Sequence, residues 1–333
     1  MIRDLNPLEE KLSPKYFRII KIYQGRLWST LITMNERTGE EFVIRSLRND
    51  FIEGNRSTEY VERYLLSHLL TIPGVDKCKG YRLPLTREQK KNRRIKKRLL
   101  YTNEAGRQKN FNISGPLFYT EYIPKGNIKN YTIEYLQTKG QKNKFMNPTI
   151  RSKIIFGISS IMKQVHKKKV IHRFLDISRI FLNENFEPKI DGFYFPIESI
   201  CDIESEIQND HFDMLFKAPE FFEGKFDFSC DVYSFGVILY FLFVGDFELK
   251  TKKMTTFLIY KKIFNGEFFK KNEMIPEVYW DLIKKCLEVD VKKRPTFDQI
   301  TEILKDDKFA LNEFGMKTNL EQLHEYQQRI NIL

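Results

Sequence analysis

The chain has 333 residues, long enough for one large two-lobed domain or two ordinary ones, and its 41% hydrophobic and 14% aromatic content can fill a sizeable core. Its formal net charge of +12 favours acidic partners, anionic surfaces or nucleic acid. Four scattered cysteines (Cys78, Cys201, Cys230, Cys286) with no C-x-x-C pair argue against a disulfide framework or a zinc site and for a reducing compartment, cytoplasmic or nuclear.

The first residues, MIRDLNPLEEKL, carry no apolar signal-peptide core, and Ile2 stands where myristoylation needs glycine, so 1–15 reads as an N-terminal extension. Residues 16–47 alternate as strands do, with a hairpin turn at Arg37-Thr38-Gly39-Glu40. Residues 57–70, STEYVERYLLSHLL, open on Ser and Thr and space their apolar residues as a helix does. Two further strands are predicted at 78–83 and 116–122, separated by an insert at 84–115. Within it, TREQKKNRRIKKR (86–98) has eight basic side chains against one acid, and Ile95 is its one apolar residue. That composition predicts an exposed, mobile loop that recruits an acidic partner or nucleic acid through Arg87 to Arg98; a merely solvated extension is the plain alternative.

After a turn at Pro124-Lys125-Gly126-Asn127 the pattern becomes helical, at 127–137, 149–168, 228–244, 255–264, 276–288 and 297–305. The most apolar run, Val232 to Val244, is interrupted by Ser234 and Gly236 and falls short of a membrane span. Residues 309–333 read as a C-terminal tail. Strands first and helices later predict an α+β, bilobal fold, with a small β-rich N-lobe at 16–122 and a larger helical C-lobe at 123–308.

Residues 170–194 read VIHRFLDISRIFLNENFEPKIDGFY. The segment is similar to the H-R-D-L-x-x-x-x-N stretch of protein kinases and the strand and D-F-G that follow it. Lys217-Ala218-Pro219-Glu220 matches A-P-E, and Asp231 and Arg294-Pro295 follow in family order. On these motifs residues 16–308 resemble the eukaryotic protein-kinase domain, and TEYIPKGNI, DVYSFGVILY and CLEVDVKKRPTF are most similar to its tyrosine-kinase-like branch. The resemblance implies a buried Glu220–Arg294 ion pair, a helix anchor at Asp231, and an internal stack through Leu66, His172 and Phe193.

The positions that carry chemistry in the family hold other residues here. The catalytic base is Phe174, and the two metal-ligand positions are Arg179 and Gly192, so a dication that wants hard oxygen ligands meets a fixed positive charge instead. The strand lysine is Arg45, whose family partner would be Glu62. Of the three glycine positions in the phosphate loop, held by Tyr23, Gly25 and Trp28, Gly25 alone fits. Thr30, Val43 and Phe181 match the adenine sandwich, Thr120 the gatekeeper, and Tyr122 follows it; bulk at Val43 and Phe181 fills part of the pocket.

The expected protein is therefore a pseudokinase: a catalytically impaired signalling scaffold or allosteric module, binding a protein partner such as another kinase and needing neither ATP nor Mg²⁺. Two other readings stay open. An active serine/threonine or tyrosine-kinase-like enzyme would use relocated residues, with Asp176 as surrogate base or Asp191 as a slipped metal ligand. The plainer expectation makes Asp176 a surface carboxylate and turns Asp191 away from the site. A binder of nucleic acid or anionic surfaces would work through the basic insert.

Overall fold

The computed structural model describes residues 17–24, 28–47, 72–76, 78–82, 98–102, 108–112, 117–141, 145–193, 214–245 and 254–332. The chain divides into two units, one of residues 1–68 with 76–122, the other of residues 69–75 with 123–333. Gly25, Glu62, Leu66 and residues 84–97 lie outside the described residues.

The first unit is built on an antiparallel five-stranded sheet in the order β1-β2-β3-β7-β4. Its members are β1 (Phe17–Gln24), β2 (Trp28–Asn35), β3 (Glu41–Leu47), β4 (Cys78–Arg82) and β7 (Leu117–Glu121). The turn between β2 and β3 closes through Gly39 N–H donating to Asn35 O at 2.8 Å, with Gly39 at φ +71°, a conformation that glycine takes without strain. Leu31, Ile44 and Tyr119 stand opposite one another on three adjacent strands and are buried, which fixes the register, because a one-residue slip of any of these strands would turn its buried residue to the other face.

Part of the insert departs from the expected loop. Strands β5 (Arg98–Thr102) and β6 (Gln108–Asn112) form an antiparallel ladder that pairs Leu99 with Phe111. The single apolar residue of Gln108–Asn112 hides the period-2 signal, and only the partner strand supplies its complement.

The second unit is helical. Helix α1 (Ile128–Gln137) is capped by Asn127, and α2 (Pro148–Lys167) by Asn147, whose side chain accepts from Ile150 N–H with proline at the first position. Between α2 and the next helix a short hairpin joins β8 (Ile180–Leu182) to β9 (Pro188–Ile190). Helix α3 (Phe228–Val244) is buried on nearly every side, so its uniformly apolar run is core. Among the described residues no helix is long and apolar enough to cross a membrane. Helices α4 (Thr256–Phe264), α5 (Glu277–Cys286) and α6 (Phe297–Ile303) complete the body, with α5 against α3 and α6 against α2.

Residues 309–333 are not the appended tail that the sequence suggests. A two-stranded turn, β10 (Asn312–Glu313) and β11 (Met316–Lys317), leads into α7 (Leu320–Ile332), which packs along α2. Leu323, Tyr326 and Ile330 are buried, at the helical spacing of an inward face. The approach needs Gly157: a Cβ there would meet Pro188 Cγ at 2.5 Å and the Tyr326 hydroxyl. The turn also carries Glu313 to Arg151, a residue 1% exposed, where Nε and Oε2 lie 2.8 Å apart. Arg151 further donates to Leu242 O at 2.7 Å and lies over the Tyr135 ring at 4.8 Å. A cation so buried requires this counter-ion, which ties 312–317 to the core.

Candidate functional site

The loop at 172–179 is held from below by Asp231, in the first turn of α3. Its fully buried carboxylate accepts from the backbone N–H of His172 at 2.8 Å and of Arg173 at 2.7 Å, and pairs with His166 Nε2 at 2.9 Å. Burial pushes the Asp231 pKa upward, but the bonds from His166 and His172 outweigh it and hold the group below the ordinary carboxylate value. Arg173 sits at φ +70°, a strained conformation for a non-glycine residue that the Asp231 hydrogen bond secures.

His172 extends this support. Its Nδ1 accepts from Phe174 N–H at 3.2 Å, which leaves Nε2 as the donor to Asp191 O at 2.9 Å. The ring is therefore neutral, and burial lowers its pKa from the usual histidine value. Phe193 lies on it, with ring centroids 4.5 Å apart. Glu220 and Arg294 form a bidentate pair, Nη1–Oε1 at 2.5 Å and Nη2–Oε2 at 2.9 Å. Arg294 also donates through Nε to Glu288 O at 2.7 Å and through Nη1 to Ser229 O at 3.1 Å.

Above this support Phe174, Arg179 and Gly192 are packed against their neighbours. Phe174 is 7% exposed; its ring meets Phe221 edge-on at 5.7 Å, and the buried Lys217 ammonium lies over it at 4.3 Å. An apolar ring beneath a cation thus stands at the position that the family resemblance gives to the proton acceptor. Asp176 is not a surface carboxylate but 7% exposed, and it is engaged locally: Oδ1 caps the short 3-10 turn at 177–179, accepting from Ser178 N–H at 2.6 Å and Ser178 Oγ at 2.5 Å. Its Oδ2 lies 3.8 Å from Arg179 Nε. Asp191 is buried, and its N–H donates to Arg179 O at 2.9 Å.

Arg179 and Gly192 fit each other. Gly192 has φ +107°, and a Cβ built on it would meet Arg179 Cδ at 3.0 Å and His172 Cε1 at 3.3 Å. The aliphatic stem of Arg179 therefore occupies the space into which an aspartate at 192 would project. The donor set is one guanidinium and one residue without a side chain, which does not suit a dication. Among the described residues, no group of three or more His, Cys, Asp or Glu side chains could hold a metal ion.

In the first unit, Arg45 is 7% exposed and its Nη1 lies 3.4 Å from Asp76 Oδ2 and 3.3 Å from Thr120 Oγ1. Asp76 is a partner that sequence reasoning did not single out; its signal is an acid following the apolar Ile72-Pro73-Gly74-Val75. The ladder sets Val43 beside Thr120 and Thr30 beside Arg45. Tyr23 is part of β1, opposite Thr30, and Trp28 opens β2, opposite Leu47, so the two flank residues 25–27 in the chain. Tyr122, just after β7, has a raised pKa, from burial first and from Glu41 second. Phe181 belongs to the second unit, where β8 bridges Asn127.

Residues 110–304 match the family model described as protein tyrosine and serine/threonine kinase, which is more than half of the chain. The chain belongs to the protein-kinase domain family. It is 29% identical over 207 residues to a probable serine/threonine-protein kinase of Dictyostelium discoideum, covering 57% of this chain and 36% of that protein. It is 27% identical over 216 residues to a probable inactive serine/threonine-protein kinase of the same organism, covering 60% of this chain and 17% of that one. An inactive serine/threonine-protein kinase of Arabidopsis thaliana is 26% identical over 205 residues, 56% of this chain and 59% of the relative. The match thus spans between about a sixth and three fifths of these relatives' own lengths. Within the kinase family, the α+β division into a sheet-bearing unit and a helical one is the expected architecture.

Proposed function

We propose that this chain is a pseudokinase: a protein-kinase fold that transfers no phosphate and serves as a scaffold or allosteric module for a protein partner, another kinase being the kind of partner that suits such a role. The observation that carries the reading is the mutual packing of Arg179 and Gly192. The two positions that would ligate Mg²⁺ have become one packed contact, so the loss is of space as well as of charge. Phe174 under Lys217 removes the proton acceptor at the same time, and Asp176, the surrogate candidate, is committed to capping 177–179. Losing one preorganised electrostatic group costs on the order of 3–4 kcal/mol of transition-state stabilisation, and here the base, both metal ligands and the strand lysine differ together. The resemblance of three segments to the tyrosine-kinase-like branch supports that placement within the family.

The purified chain incubated with γ-labelled ATP and Mg²⁺ or Mn²⁺ tests the proposal. The expected result is no label on the chain itself or on generic substrates. Incorporation that disappears in an Asp176→Ala variant would overturn it and make Asp176 the working base.

A further inference from the structure

We propose that the outer face of α4 is a docking surface for an acidic, amphipathic helical segment of a partner protein. Ile259 and Ile263 turn inward and are buried, which commits one face of the helix to the core. The opposite face presents Phe257, 74% exposed, with Leu258 and Phe264 also exposed at 39% and 42%. Phe257, Lys261 and Phe264 follow one another at i, i+4 and i+7, so they form a single stripe. Large exposed apolar groups gathered in one patch mark an interaction site, whereas scattered ones do not.

The stripe is held from behind by a ladder of rings. Phe264 stacks on Tyr260 with centroids 5.9 Å apart, Tyr260 meets Phe222 at 5.1 Å, and Phe222 meets Phe221 at 5.9 Å. Phe221 is the ring that contacts Phe174. The backing rings fix the Phe264 anchor before a partner arrives, which lowers the ordering entropy of binding. Aromatic anchors in such settings are the side chains that dominate interface energetics.

Charge selects the occupant. Lys261 lies inside the stripe, Lys262 follows it in sequence, and the described residues 254–275 hold four lysines against two acids. Two lysines are too few to track a nucleic-acid backbone, which takes several phosphate contacts. They match the flanking carboxylates of one helix, whose own apolar residues at i, i+3 or i+4 and i+7 are spaced like the stripe.

The probe is a fluorescein-labelled 15-residue peptide with Leu and Phe at that spacing and Glu at the remaining positions, titrated with the full chain and read by anisotropy. Saturable binding is expected, weakened at least tenfold by Phe257→Ala and by Lys261→Glu, and weakened by added salt. Both variants should keep the parental melting temperature, since both side chains are exposed. A companion peptide with Lys in place of Glu should bind at least tenfold less tightly. No saturable binding, or binding indifferent to Phe257→Ala or to the sign of the peptide's charge, would overturn the proposal. So would self-association of the chain, or capture of oligouridylate or anionic vesicles, that Phe257→Ala abolishes while the peptide stays unbound, because each gives the face to another occupant.

Discussion

The two sides of the loop at 172–179 have opposite characters. Beneath it, Asp231 accepts from two backbone N–H groups and pairs with His166, while His172 is saturated at both ring nitrogens. Above it, Phe174 lies under a buried ammonium and Arg179 leans on a glycine. The lower side is what a fold requires, because a buried carboxylate that loses a partner leaves an uncompensated charge. The upper side is what phosphoryl transfer would use, and on the proposed reading rings, a guanidinium stem and bare backbone stand there in place of polar reactive groups. On that reading, support and chemistry separate within eight residues of chain, and the family fold stands without the reactive set.

Breaking the lower side should have the largest effect. Arg294→Ala leaves Glu220 without its bidentate partner, a loss of about 3–5 kcal/mol for a buried pair, read as a marked fall in melting temperature or soluble yield. Glu313→Ala should act similarly through Arg151, showing that residues 312–332 belong to the folded unit. An unchanged melting temperature in either variant would mean that the pair contributes nothing net.

An intermediate effect is expected above the loop. Gly192→Asp, which restores the family letter, should destabilise the chain by roughly 1–3 kcal/mol, because it forces a side chain into positive φ and against Arg179. Adding Arg179→Asn should recover part of that loss. If Gly192→Asp alone is neutral, the packing account of these two positions fails.

The smallest effect is a pH dependence. The folded-state pKa of His172 is depressed, so between that value and the unfolded value of about 6.5 the unfolded chain binds more protons. The stability from keeping the ring neutral is complete above about pH 6.5 and is lost as the pH falls below it. Asp231, also depressed, adds a second loss further down, below its unfolded value of about 3.9 and through its folded one. Urea midpoints at pH 7.5 and 5.5 should differ in this direction, and His172→Asn should flatten the difference.

Much of this was legible in the sequence, for definite reasons. The helices at 128–137, 148–167 and 228–244 follow from apolar spacing, Asn and Asp caps and a first-position proline, all local signals. The replaced letters at 174, 179 and 192 could be read by counting from His172. Where the new side chains go could not: that Phe174 sits under Lys217, or that Arg179 fills the space over Gly192, depends on contacts that no local pattern in the sequence reports. Asp76 beneath Arg45, and Glu313 beside Arg151, escaped for the same reason. The α7 helix had a visible signal in Leu320, Leu323, Tyr326 and Ile330, but its register means little without α2 to receive it. The 98–112 hairpin was masked by the charge run before it, although Ala105-Gly106 between two short segments is a turn signal.

The central claim is that the metal-ligand positions no longer accept a dication, and thermal denaturation of the full chain with millimolar ATP, with and without Mg²⁺, tests it most directly. A ligand that binds only the folded state must raise the melting temperature. The account predicts that Mg²⁺ adds nothing to whatever shift ATP alone produces; a further rise on adding Mg²⁺ would contradict it.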